Sequence, residues 1–115
     1  MKIKIEFEFD DQLIDDILST CFEGGSNYWC DLVKVKDNDY KGAEFASEVL
    51  AKGGVLFLYV DGVAHELTLE KFVKGVELAL NDNPQMILAL QEEQWDAGHA
   101  DHILQHALFG ELIYG

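Results

Sequence analysis

Between Lys2 and Phe9 polar and apolar residues alternate without a break. A strand turns successive side chains to opposite faces, so Ile3, Ile5, Phe7 and Phe9 are expected to point at a core while the Lys and Glu side chains meet water, as in an antiparallel strand wet on one face. Asp10 or Asp11 is then placed to cap a helix, because a carboxylate there accepts a hydrogen bond from the free amides of the first turn. Leu13, Ile14, Ile17, Leu18, Cys21 and Phe22 recur at helical spacing and form its buried stripe. Gly24 is expected to end this helix, residues 28–35 to form a second strand, and Asp37-Asn38-Asp39 to turn the chain.

Phe45, Val49 and Leu50 predict a short second helix closed by Gly53. Residues 55–60 are apolar throughout, which predicts a strand covered on both faces. Asp61-Gly62 is a two-residue hairpin signal, with residues 63–67 returning as the partner strand. From Thr68 the period becomes helical: Thr68 caps a helix whose stripe is Leu69, Phe72, Val73, Val76 and Leu80, and Asn83-Pro84 opens another with Met86, Ile87 and Leu90 facing inward. A last helix is expected from about Gly98 to Phe109, stopping at Gly110, with residues 111–114 adding a short terminal strand. Strands followed by helices, with no repeat or linker, predict one α+β domain over the whole chain: an antiparallel sheet of about four strands, packed helices, and a helical C-terminal half.

The 115 residues suffice for one core without metal or disulfide staples, and 49% of them are hydrophobic, too many for a disordered tail. No apolar run approaches the roughly 20 residues of a membrane span, and no signal-peptide pattern precedes the first strand. The 22 acidic residues outweigh 8 basic ones, a net charge of −14, and every basic residue is a lysine. Without guanidinium forks and with this sign of charge, direct nucleic-acid binding is not expected. Two cysteines, Cys21 and Cys30, make no disulfide framework and fit a reduced, cytoplasmic setting.

Each candidate for chemistry has an ordinary counterpart. Asp37 to Gly42, with Glu48 at the twelfth position, imitates a calcium loop, but Lys41 stands at the fifth position, where an oxygen ligand is needed, and a strand precedes it instead of a helix. A turn leading into a helix is expected. His99, His102 and His106 share one helical face at intervals of three and four, near Asp96 and Asp101, which is the alternative reading: a small metal- or ligand-binding domain using these three imidazoles. Zinc sites usually draw ligands from more than one element, so the spacing favours a polar helical face with one histidine buried against a carbonyl. Gly24-Gly25-Ser26-Asn27 leaves a helix and enters a strand, the reverse of a phosphate loop. Ser19, Thr20, Ser26, Ser47 and the cysteines have no nearby His-plus-carboxylate pattern, and His65 carries no motif, so neither an enzyme nor a cofactor is expected.

Charge is the broadest signal. After Lys74 no basic residue remains, while Glu77, Asp82, Glu92, Glu93, Asp96, Asp101 and Glu111 follow. A surface of one sign steers a protein toward basic partners, and carboxylates spaced like phosphates would occupy the groove of a DNA-handling protein. Tyr28, Trp29 and Trp95 are the aromatic candidates for such a contact.

Two stretches carry a resemblance. Cys21-Phe22-Glu23-Gly24-Gly25-Ser26-Asn27-Tyr28-Trp29, and the tail with Ala100-Asp101, Leu104-Gln105, Ala107-Leu108-Phe109-Gly110-Glu111 and Tyr114-Gly115, resemble a family of small phage- and prophage-encoded proteins. In that family a GGSNYW-like segment follows the first helix and an AD..LQ.ALFGE..YG-like segment closes the chain. The resemblance implies a mobile-element origin, a bacterial cytoplasm and an accessory role. The histidines stand outside both motifs. As scaffold, Asp101 complements the helix dipole and Gln105 bonds a neighbouring backbone; as a shared surface, Asn27 and Gln105 join Tyr28, Trp29 and Trp95 as candidate partner-binding residues. The expectation is a non-enzymatic accessory protein that binds a protein, such as a basic or nucleic-acid-binding host protein, and inhibits a host defence or DNA-handling enzyme.

Overall fold

A computed structural model describes residues 7–115. The expected first strand lies mostly outside the described residues; Phe7 and Phe9, at its end, belong to no strand and instead pack edge-to-face on each other, with Phe9 against Phe72.

Helix α1 spans Asp11–Thr20, capped by Asp10, whose side chain accepts from Leu13 N at 2.8 Å. Ile14, Ile17, Leu18 and Cys21 are buried and Leu13 and Phe22 partly so, as the periodicity requires. Helical backbone ends at Gly24, as expected, where φ is 154°. The closing turn of α1 is a π-turn over Cys21–Gly25, with Ser26 N–H donating to Cys21 O at 3.0 Å. The second strand is β1, Leu32–Val35, shorter than expected, because the N–H groups of Trp29 and Cys30 bond back to Ser26 O and hold that segment as a turn. Two 3₁₀ turns, Ala46–Glu48 and Leu50–Lys52, stand where a short helix was expected; Val49 and Leu50 are buried while Phe45 is exposed.

Strands β2, Leu56–Val60, and β3, Val63–Leu67, form the hairpin, and β2 pairs antiparallel with both neighbours in the order β1-β2-β3. Among the described residues the sheet has three antiparallel strands, compatible with the expected sheet of about four, whose first strand lies mostly outside the described residues. Leu56, Leu58 and Val60 are buried, whereas Phe57 and Tyr59 are half-buried, so β2 is fully covered on one face only.

Thr68 caps α2, Leu69–Asp82; α3 is Met86–Gln91; α4 is Ala97–Phe109, capped by Asp96. Gly110 closes α4 at φ 78°, a left-handed conformation that favours glycine. Val73 is half-exposed, contrary to its expected place in the α2 stripe; that face is completed by Gly75 and Ala79. A Cβ at Gly75 would lie 2.6 Å from Ala107 backbone atoms, so its absence lets α2 cross close against α4. Helix α4 packs on α2, α1 and β3, and even its polar residues Asp101, Gln105 and His106 are buried. On the face expected to be polar, His106 is buried against the His102 carbonyl, as expected of one histidine, while His99 and His102 are partly buried.

No terminal strand forms over residues 111–114. The N–H groups of Ile113 and Tyr114, which a ladder would need, donate to Gln105 Oε1, both at 2.9 Å. No described helix is long and apolar enough to cross a membrane.

Candidate functional site

Three places gather the chemistry-bearing side chains. The first joins the two motif segments. Asp101, on the first turns of α4, receives Ser26 Oγ–H and Trp29 Nε1–H on Oδ1, each at 2.7 Å, and Tyr28 O–H and Gln105 Nε2–H on Oδ2, the latter at 2.9 Å. Gln105 Nε2 also donates to Tyr114 O at 3.0 Å, and Trp29 stacks on Tyr114 with ring centroids 5.7 Å apart and planes 3° off parallel. The π-turn and the turn after it aim Ser26, Tyr28 and Trp29 at α4, and the Gly110 reversal brings Tyr114 back. Asp101 uses both oxygens on these donors, so no lone pair faces a void.

This network decides where several candidate contact residues stand. Trp29 and Gln105 are 4% and 0% exposed and present no surface to a partner. Tyr28 leaves most of its ring in solvent while its hydroxyl points inward; burial of that hydroxyl, reinforced by the Asp101 hydrogen bond, pushes its pKa up to about 12. Burial likewise pushes the neighbouring Cys21 thiol up to about 12 and raises Cys30, which holds both as inert thiols. Asn27 is exposed and lines a different cleft with Cys30, Asp31 and Leu32.

The second place is on α2 and α4. His102 and His106 stack at 4.6 Å and face Asp82 at the end of α2: Oδ2 lies 3.0 Å from His102 Nε2 and 4.0 Å from His106 Nε2. His106 is the buried histidine, with Nδ1 2.9 Å from His102 O. Burial, followed by the adjacent His106, lowers the His102 pKa, against the opposing pull of Asp82. His99 is not part of this group. Its Nδ1 accepts Asp96 N–H at 3.0 Å while Asp96 Oδ1 accepts His99 N–H at 3.1 Å, a reciprocal cap. A ring nitrogen that accepts carries no proton, so the nearby Asp96 carboxylate is a capping neighbour and not an ion-pair partner. The sequence reading missed Asp82 because nothing in the spacing says that the end of α2 meets the middle of α4.

The third place is a groove of about 370 Å³ between the start of α1 and the segment joining α3 to α4. Glu8, Asp10, Asp16 and Glu93 line it with Phe7, Leu13, Leu90 and half-buried Trp95. No lysine is among its described lining residues. In the imitation calcium loop, Lys41 Nζ sits 3.0 Å from Asp39 Oδ2, a cation occupying the carboxylate; that hydrogen bond holds Asp39 below the usual carboxylate range.

No family model, curated protein or solved structure matches this chain.

Proposed function

We propose that the protein is a non-enzymatic accessory protein that binds a basic segment of another protein in the acidic groove around Trp95. The observation that carries this reading is the pairing of four carboxylates with an indole in one concave surface. Carboxylates attract and orient Lys or Arg side chains, and an indole face adds a cation–π contact of about 0.5–2 kcal/mol. The excess of acid across the chain, −14 in net charge, extends the attraction beyond contact distance and speeds encounter with a basic partner.

The inward-facing residues support the same reading from the other side. Asp101, Ser26, Trp29 and Gln105 are engaged with one another, which makes the two motif segments a clamp that holds the tail rather than a contact surface. A phage or prophage origin, with a nucleic-acid-binding host protein as target and its inhibition as outcome, is the role the motif resemblance adds to this proposal.

Association of the untagged protein with purified nucleic-acid-binding host proteins, followed by Trp fluorescence across a salt series, tests it. Binding is expected to weaken steeply with salt, and Trp95→Ala and Glu93→Lys are each expected to weaken it while leaving the circular dichroism unchanged. Absence of salt-sensitive association with every such protein, or association indifferent to both substitutions, would overturn the groove as the contact.

A further inference from the structure

The geometry points to a site for a divalent transition metal of the zinc class, held by Asp82 Oδ2, His102 Nε2 and His106 Nε2 and open to solvent at a fourth position. These atoms come from two helices and all lie within 4.8 Å of one another. Tetrahedral zinc with bonds of about 2.0–2.2 Å places ligand atoms roughly 3.4 Å apart. The separations of 3.0 and 4.0 Å from Asp82 straddle that value. Asp82, with 57% of its side chain exposed, has room to adjust.

The orientation of the His106 ring suits a metal ligand. The His102 carbonyl can only accept, so His106 Nδ1 bears the hydrogen of their 2.9 Å contact. With Nδ1 engaged there, Nε2 is the ring nitrogen turned toward Asp82 Oδ2, 4.0 Å away, and is the one placed to take a ligand. An N–H···O=C bond from the far ring nitrogen is also the usual way a metal-binding imidazole is oriented. Two imidazoles with one carboxylate suit zinc and its transition-metal neighbours, whereas calcium and magnesium prefer oxygen throughout. The position depends on the close α2–α4 crossing at Gly75 and Ala107, which brings the end of α2 to the middle of α4. It shares no residue with the acidic groove, so the two proposals stand or fall separately.

Calorimetric titration of the untagged protein with Zn²⁺, and visible absorption with Co²⁺, test the site. One equivalent with tetrahedral Co²⁺ bands is expected. Asp82→Ala and His102→Ala should each weaken affinity by about tenfold or more, while His99→Ala leaves it unchanged. In wild type, ¹⁵N NMR should show metal-induced shifts at Nε2 of His102 and His106, a readout that needs no folded variant. No saturable binding, binding that survives Asp82→Ala and His102→Ala together, or shifts confined to His99 would overturn the proposal and leave His102–Asp82 as a tie between helices.

Discussion

Gln105 brackets Tyr114: its amide oxygen accepts Tyr114 N–H at 2.9 Å and its amide nitrogen donates to Tyr114 O at 3.0 Å. One side chain thus offers the tail the donor-and-acceptor pair that a neighbouring strand would offer, from the middle of a buried helix. The tail needs no sheet because Gln105 supplies its partner groups. Gln105→Ala removes both, leaves the part-buried tail groups without their partner and takes one donor from buried Asp101, where an unpaired buried polar group costs about 1–3 kcal/mol. We expect a loss of stability in urea of about 2–4 kcal/mol on that basis, with faster amide exchange at Ile113 and Tyr114. Unchanged exchange there would refute the bracketing role.

Asp101 accepts from two donors on each oxygen. Asp101→Asn replaces one oxygen by a donor, so in either orientation its NH₂ group confronts one N–H that can only donate, Trp29 Nε1 or Gln105 Nε2, and forces one hydroxyl to reverse its role. The expected cost is about 1.5–3 kcal/mol, measured by chemical denaturation. Tyr28→Phe, which removes a single donor at a wetter position, should cost less.

Alkaline pH acts on the same network. Tyr28 ionises near 10 when unfolded and near 12 when folded, so between those values the native state retains a proton that the unfolded state has lost. Stability is therefore unaffected by this group below pH 10 and falls as pH rises from 10 toward 12. Cys21, raised from 9.0 to about 12, acts with the same sign from a lower starting point. Denaturation midpoints should decline above pH 9, and absorbance at the phenolate band should show one late-ionising tyrosine that Tyr28→Phe removes.

Gly75→Ala tests the helix crossing. Alanine favours an isolated helix by about 1 kcal/mol, but its Cβ would meet Ala107 backbone at 2.6 Å. Overpacking of this kind costs about 1–3 kcal/mol, and the contact atoms, Ala107 N, Cα and Cβ, have no rotamer to yield. A net loss of thermal stability is expected, together with weaker Zn²⁺ binding, since the crossing sets the distance from Asp82 to the histidines.

The sequence by itself determined the elements whose patterns are local. Thr68 and Gly110 mark helix ends, and Asp10 or Asp11 the start of α1, because capping depends only on near neighbours, and Asp61-Gly62 marks its hairpin for the same reason. The α1 stripe followed from periodicity, since one face of that helix meets the core. Only the tertiary structure decided what Asp101, Gln105 and His106 do, because α4 is enclosed on several sides and its buried polar groups find partners 72–77 residues away or on another helix. Asp82 joins two histidines, and Glu8, Asp10, Asp16 and Glu93 join Trp95, through packing of elements far apart in the chain. Periodicity reports which side of an element avoids water; which side chains then meet across the interior is set by the approach of one helix to another, here through a glycine with no Cβ.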